Sequence, residues 1–185
     1  MKPQDFIKDV LKDVKTDLTD EFDKNFERQA FFDERWQQRK LRPGDNLLNV
    51  HGGSGLRGSI ADKIVNQTIS WSSSLPYASI HNNGGVLVVT AKMKAFFWFK
   101  YMQAMNKLVY SVKTKSVRNT KGNRANSTEA EIWKAMALKK VGDKITIPKR
   151  RFIGDHPNVK TIIRQNVDNA VLKVGEHFKL EFKKQ

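Results

Sequence analysis

Apolar residues recur at steps of three and four through the first part of this chain, and this periodicity constrains the fold more than any other feature. The positions that share it are Ile7, Val10, Leu11, Val14, Leu18, Phe22 and Phe26. Lysine and aspartate fill most positions between them, so the segment has one apolar face and one charged face. The pattern predicts an amphipathic helix over residues 3–28. Its apolar face should belong to the core, because no heptad is sustained for a coiled coil.

A second amphipathic pattern lies near the other end of the sequence and predicts a helix over residues 155–178. Between the two helices, a period of two with β-branched residues predicts strands over 64–71, 86–90 and 145–147, the last ended by Pro148. Long terminal helices with short strands between them indicate an α+β fold. We expect the two helices to pack on an antiparallel sheet.

We expect residues 1–185 to form a single domain. The segment between the second and third predicted strands should be a helical insertion in this domain. We expect this inserted arm to cover residues 86–143 and to begin with a helix over 92–110. A basic mobile loop over residues 111–127 should follow, because this stretch has no acid and little to bury. A Thr-Glu-Ala-Glu sequence typical of a capping box then predicts a short helix over 128–140.

Positive charge is concentrated in one part of the sequence. The chain has 34 Lys and Arg against 19 Asp and Glu, and residues 100–160 alone carry 15 against four. Residues 1–36, in contrast, carry seven Lys and Arg against ten Asp and Glu. A field of positive sign favours a polyanion, most obviously nucleic acid, or an acidic protein partner. The candidate contact residues are five loop cations, Lys113, Lys115, Arg118, Lys121 and Arg124.

The first helix of the insertion contains more aromatic residues than one face packed on a small sheet requires. Exposed apolar patches of this kind usually mark partner sites. We therefore predict an assembly surface made of Phe96, Phe97, Trp98, Phe99 and Tyr101. The alternative is that these side chains complete the core of the chain itself.

The sequence contains no convincing catalytic constellation, so we expect a protein without enzymatic turnover and without a cofactor. The absence of cysteine excludes a disulfide framework, a thiolate zinc site and a cysteine nucleophile. The four histidines are scattered, so no metal site is expected. The glycine-rich stretch 51–55 lacks the Gly-Lys-Ser/Thr of a phosphate-binding loop. A nuclease built on His81, Asn82 and Asn83 remains an alternative, although acids to hold its metal are missing nearby.

Neither export nor membrane insertion is expected from the sequence. The first 20 residues mix lysine with aspartate and contain no apolar block of signal-peptide length, which predicts synthesis in a cytoplasm. The most apolar stretch, residues 86–110, is interrupted by four lysines. That is too many charges for a transmembrane helix.

Short sequence blocks follow one another in an order that resembles a known family. They are Leu47-Leu48, Gly55 to Ile60, Tyr77 to Gly85 and Ile147 to Gly154. Together they are similar to the virion morphogenesis or tail completion family of tailed phages, typified by Mu-like phages. The patterns of that family run roughly iL..tG.L..SI, YA.iHq.GG and iPaRpFlG. The chain departs from them at Arg151, where the family usually has a second proline, and in the long insertion.

The resemblance implies a structural virion protein of the phage neck or tail end. Such a protein would be a tail completion, tail terminator or head-tail joining component that forms a homo-oligomeric ring around the DNA channel. Its partners would be other neck or tail proteins. The motif positions would determine the fold, and they are Gly55, Leu56, Tyr77, His81, Gly84, Pro148, Arg150 and Phe152. The alternative function is sequence-independent nucleic-acid binding by a protein of phage or bacterial origin.

Overall fold

A computed structural model of the chain describes residues 3–38, 47–48 and 55–182. The elements, in order, are α1 (Pro3–Arg28), β1 (Ala30–Phe31), β2 (Glu34–Arg35), a 3-10 turn (Arg57–Ser59), β3 (Ile60–Val65), β4 (Thr68–Ser73), α2 (Ala78–Asn83), β5 (Gly85–Val88), α3 (Ala91–Met105), α4 (Lys121–Ala137), β6 (Lys144–Ile147) and α5 (Pro157–Phe182). The predicted α+β class, with long helices near both ends, is confirmed. Most of the glycine-rich stretch, residues 51–54, lies outside the described residues.

The chain divides into two compact units. One, which we call the terminal unit, comprises residues 1–84 and 148–185. The other, the inserted unit, comprises residues 85–147 and therefore includes the whole of the predicted arm, 86–143. Each unit is described by itself below.

The strands form three separate antiparallel pairs, β1 with β2, β3 with β4, and β5 with β6, where the sequence analysis predicted one sheet. The predicted single strand over 64–71 is also wrong, because β3 and β4 are the two arms of a hairpin. The turn consists of Asn66 and Gln67, whose φ angles are 48° and 61°. Two residues of positive φ fit the twist of a tight hairpin. The alternation of residue types continues through this turn, so periodicity alone did not reveal it.

The apolar face of α1 forms much of the core of the terminal unit, as predicted. Val14, Leu18 and Phe22 are buried and pack with Phe31 and Phe32 just after the helix. Side chains of β4 and α5 cover this cluster from other sides, namely Ile69, Trp71, Val159 and Ile162. Each fully buried side chain of this size stabilises the fold by about 1.5–3 kcal/mol. The first turns of α1 contribute less to this core, since Ile7 is exposed.

Polar contacts fix α1 against the β3–β4 hairpin. The Lys15 ammonium lies 2.6 Å from Asp62 Oδ1, and Thr19 Oγ1 donates to the other carboxylate oxygen at 3.1 Å. Thr19 in turn accepts a hydrogen bond from Trp71 Nε1 at 2.9 Å. The hydrogen bond from Lys15 lowers the pKa of Asp62, so this carboxylate stays ionised.

The inserted unit is built on a pair of packed helices, α3 and α4. The ring of Phe97 stacks on Trp133 with a centroid distance of 6.1 Å. Alanines on both helices, Ala104 and Ala130 among them, are buried. Small residues at these positions let the two helix backbones approach closely. Among the described residues, no helix contains a stretch long and apolar enough to cross a bilayer.

Helix α4 begins at Lys121, so the predicted loop over 111–127 is too long and the predicted helix over 128–140 starts too late. The N-cap is Thr120, whose hydroxyl accepts from the main-chain N–H of Asn123 at 3.2 Å. Thr128 lies inside the helix and donates to a carbonyl one turn earlier, so it is no cap. The earlier start is favoured because the Asn123 side chain is buried and hydrogen-bonded, which local sequence patterns do not reveal.

Candidate functional site

The segment after β6 meets the earlier motif blocks in the terminal unit, with Phe152 at the centre. This side chain is 1% exposed, and its ring lies 5.2 Å from that of Phe26. Its main-chain N–H donates to Asn82 Oδ1 at 2.9 Å, and its carbonyl accepts from Asn25 Nδ2 at 3.1 Å. The buried cluster around it, called here the motif core, consists of Phe26, Trp36, Leu47, Leu56, Ala78 and Phe152. Residues from all the motif blocks therefore lie together.

Arg150 and Arg151 join separate parts of the chain through the main chain. The N–H of Arg150 donates to the carbonyl of His81 at 2.8 Å. Its buried guanidinium donates to the carbonyl of Gln37 from Nε and Nη2, at 3.1 and 3.0 Å. The carbonyl of Arg151 accepts from Trp36 Nε1 at 2.6 Å. These bonds satisfy polar groups at the edge of the motif core, so their role is structural.

The block from Tyr77 to Gly85 forms the short helix α2 and the bend after it. Tyr77 is exposed, and its ring meets the edge of the His81 ring at 6.0 Å. Asn82 accepts the main-chain N–H groups of Phe152 and Ile153, at 2.9 and 3.1 Å. Both bonds go to its side-chain oxygen, so Asn82 holds the main chain at Phe152 and Ile153 in place.

Gly84 ends α2 in a conformation that side chains rarely adopt. Its φ is 74° and its ψ is 173°. A Cβ atom at this position would lie 3.0 Å from the main-chain nitrogen of Lys149 and 3.2 Å from its Cα. Glycine is therefore required both by the backbone angles and by the close approach of the chain after Pro148.

Replacement of Gly84 by alanine is expected to lower the free energy of unfolding by about 1–3 kcal/mol, because the angles are strained for any L side chain. Urea unfolding followed by circular dichroism measures the change. Gly122→Ala is the matched control: this glycine lies in α4 with nothing within 4 Å of its Cβ position. That variant should be neutral or more stable by up to about 1 kcal/mol. Equal destabilisation in both variants would contradict the assignment.

The block from Gly55 to Ile60 enters the motif core through Leu56, which is buried. Gly55 is buried beside it. Arg57 projects towards α1, where its guanidinium donates to Asp23 and to Glu27 Oε1, the latter at 2.7 Å. The hydrogen bonds from Arg57 to Asp23 and Glu27 raise the pKa of the guanidinium further above its ordinary value. This arginine is thus engaged in ion pairs within the fold.

The contacts of His156 belong to the fold. His156 is buried and stacks on Phe32 with a centroid distance of 4.6 Å. Its Nε2 lies 3.0 Å from Asp33 Oδ1, and its Nδ1 accepts from the main-chain N–H of Asn158 at 3.2 Å. Within the described part of the chain, no three His, Asp or Glu side chains are grouped so that they could hold a metal ion.

The structure separates the five residues of the predicted assembly surface by their exposure. Phe97 is 7% exposed and packs on α4, so its inclusion was wrong. Tyr101 is half-buried with its ring against Trp98, and Phe96 is 49% exposed although its ring lies perpendicular to that of Trp133. Phe99, in contrast, is 61% exposed and Trp98 is 40% exposed.

The exposed aromatics belong to a continuous apolar stripe on the side of α3 turned away from α4. The stripe consists of Ala91, Ala95, Trp98, Phe99 and Met102, which recur at helical spacing and are all exposed. Because the opposite face also packs apolar side chains, α3 is apolar on both sides. A helix of that kind is normally covered on both sides in the working protein.

The five predicted contact cations are all exposed and lie in two adjoining places. Lys113, Lys115 and Arg118 belong to the connection between α3 and α4, whereas Lys121 and Arg124 belong to the first turn of α4. None of the five forms an ion pair with any described residue. Their ammonium and guanidinium groups are therefore available to an anion.

The described residues thus contain a cluster that joins the motif blocks, an apolar stripe and a basic surface. No protein-family model, curated protein or solved structure matched this chain. The contacts of the residues are consequently the basis for assigning their roles.

The sequence analysis missed a fully buried polar residue that hydrogen-bonds to the motif core. Asn25 is fully buried and bonds Phe152, Phe32 and Arg28. A signal for it was present, because Asn25 stands three residues after Phe22 and one before Phe26, on the buried side of α1. A polar side chain in such a stripe is retained only when hydrogen bonds satisfy it.

Proposed function

We propose that this chain is a structural virion protein of a phage neck or tail end, acting without turnover as one copy in a homo-oligomeric ring. The observation that carries the proposal is the meeting of the motif blocks around Phe152. Four segments far apart in sequence supply one buried cluster, and the polar groups among them bond main-chain atoms. This is the arrangement expected if the resemblance to the tail completion family reflects a shared fold.

Support for assembly comes from the apolar stripe on α3. The stripe includes three large exposed side chains that carry no charge, namely Trp98, Phe99 and Met102. A partner that covers such apolar surface removes it from water, which is favourable. In the proposal, the occupant is a neighbouring copy of the chain. Its partners beyond the ring are other neck or tail proteins, in an assembled particle formed in the bacterial host.

The distribution of charge favours a head-to-tail contact between copies. The inserted unit, 85–147, carries 13 Lys and Arg against three Asp and Glu. Two inserted units in direct contact would bring like charges together, which disfavours an isologous pair. Residues 1–36 carry ten acids against seven cations, so this segment of one copy, and not the terminal unit as a whole, suits the inserted unit of the next. Heterologous contacts form a ring when the rotation from one copy to the next closes after a whole number of copies, as the proposal requires.

The test is the native mass of the full chain, measured by light scattering after gel filtration, with electron microscopy of the same fractions. We expect ring-shaped oligomers for the natural sequence. Phe99→Ser with Met102→Ser should give monomers with an unchanged melting temperature, because these side chains are 61% and 54% exposed and contribute little to the fold of one chain. A natural sequence that stays monomeric would contradict the ring.

A matched control uses two other exposed apolar residues of the inserted unit. Val112 and Val141 are 96% and 62% exposed and lie outside α3. Val112→Ser with Val141→Ser should therefore keep both the oligomers and the melting temperature. Loss of assembly in this control as well would mean that general surface hydrophobicity, and not the stripe, drives association.

A further inference from the structure

We infer that the inserted unit binds the phosphate backbone of duplex DNA without regard to base sequence, through a surface made by the α3–α4 connection and the first turn of α4. The inference goes beyond the proposed function and does not depend on ring assembly. Binding by a monomer would sustain it even if the ring were disproved. The surface is called the basic platform and comprises Lys113, Lys115, Arg118, Lys121 and Arg124.

The first argument is the sign of the charge over the whole unit. The inserted unit carries 13 cations and three acids, whereas the rest of the chain carries 21 and 16. No acid occurs at all between Asp62 and Glu129. A surplus spread over 63 residues is suited to a polyanion of uniform charge density.

The second argument is that the acids present in the unit do not neutralise the basic platform. Asp143 Oδ2 accepts from the main-chain N–H of Lys140 at 2.8 Å, in the turn after α4. Glu129 Oε1 accepts from Trp133 Nε1 at 3.3 Å. Glu131, the third acid of the unit, forms no ion pair with the platform. Since the five platform cations have no ion-pair partner among the described residues, an external anion does not have to displace one of those residues.

The third argument is that hydrogen bonds hold the platform in a defined conformation. Tyr110 and Val117 form an antiparallel bridge, and Ser111 N–H donates to the carbonyl of Ser116 at 2.8 Å. Asn123 is buried and clamps both ends of this turn. Its side chain bonds the N–H and carbonyl of Val109, at 3.0 and 2.7 Å, and the carbonyl of Arg118 at 2.8 Å. Cations fixed in advance lose less entropy on binding.

The composition of the platform favours phosphate over bases. Serine and threonine hydroxyls are interleaved with the cations, as in Ser111, Thr114 and Ser116, and such groups commonly contact phosphate oxygens. The platform segment 111–128 contains no aromatic side chain that could stack on unpaired bases. Duplex DNA, which presents phosphates on its outer surface, is therefore the partner that fits.

The experiment is a titration of the full chain with a fluorescein-labelled DNA duplex, read by anisotropy at several salt concentrations. Five phosphate contacts predict a slope of log Kobs against log salt of about −4.5 or steeper, and a loss of affinity of about 500-fold between about 50 and 200 mM salt. Changing the five platform residues to glutamine should lower the affinity at about 50 mM salt at least about a hundredfold and remove most of the slope.

The control variant removes the same number of charges from the terminal unit. It changes five exposed cations to glutamine, namely Lys8, Lys12, Lys63, Arg164 and Lys173. This variant should keep the slope to within about one contact. Equal loss in the two variants would overturn the inference, because only net charge would then matter. A natural sequence that does not bind the duplex at low salt would overturn it as well.

Two further measurements separate folding and partner class from phosphate binding. The first exchanges lysine for arginine, and arginine for lysine, at the five platform positions. This variant keeps the charge and should keep the affinity for the duplex. Loss of binding with an unchanged melting temperature would contradict contacts to the phosphate backbone.

In the second measurement, polyglutamate should compete more weakly than an unlabelled duplex of the same charge concentration. Stronger competition by polyglutamate would assign the surface to an acidic protein and overturn the inference.

Discussion

Replacing Phe152 with alanine is expected to lower the free energy of unfolding by about 3–5 kcal/mol, the cost of removing a buried aromatic ring and leaving a cavity. The ring is 1% exposed and packs directly on Phe26, within a cluster that also contains Leu56 and Ala78. Because total stabilities are about 5–15 kcal/mol, this loss should leave a marginal terminal unit. Urea unfolding followed by tryptophan fluorescence measures it, since Trp36 is in the same cluster.

The control for this prediction is the same substitution at an exposed phenylalanine. Phe99 is 61% exposed, so Phe99→Ala should change the stability by less than about 0.5 kcal/mol. If Phe152→Ala does not yield soluble protein, Phe152→Leu keeps part of the volume and should show a smaller loss in the same assay. A stability equal to that of the natural sequence in either Phe152 variant would show that the motif core is packed differently.

Removing the amide of Asn25 is expected to lower the free energy of unfolding by about 2–6 kcal/mol, because Asn25→Ala leaves two buried main-chain groups without partners, at about 1–3 kcal/mol each. The carbonyl of Phe152 loses its donor, and the N–H of Phe32 loses its acceptor, to which it donates at 3.0 Å. Thermal unfolding monitored by circular dichroism reports the total effect.

Hydrogen exchange gives a local readout for the same variant. The amide of Phe32 should lose its protection selectively, since Asn25 Oδ1 is its acceptor. Asn126→Ala is the control, because that amide is half-exposed and makes one longer bond, at 3.3 Å to the carbonyl of Lys107. This control should cost less than about 1 kcal/mol. Unchanged protection of Phe32 in Asn25→Ala would refute the assigned bond.

The candidate site was partly predictable, and its residues show where prediction stopped. The motif positions Leu56, Arg150 and Phe152 were identified from the order of the blocks, and all three are buried. Phe97 and Phe99, in contrast, are equivalent by composition, yet one is buried against Trp133 and the other is exposed. Only the position of the neighbouring helix α4 distinguishes them.

The sequence by itself determined the elements whose signal is local. The long helices α1 and α5 and the strand β6 follow from apolar periodicity and from Pro148, because such patterns reflect which face of one element avoids water. The surplus of positive charge in the inserted unit is likewise a property of composition.

Tertiary structure decided the features that depend on contacts between distant segments. The turn at Asn66 and Gln67, the start of α4 near Asn123 and the burial of Asn25 all depend on partners that no local pattern specifies. A polar side chain becomes part of a core only when other segments supply its hydrogen bonds, and an apolar face becomes interior only when another element covers it. Those partners come together only when the chain has folded.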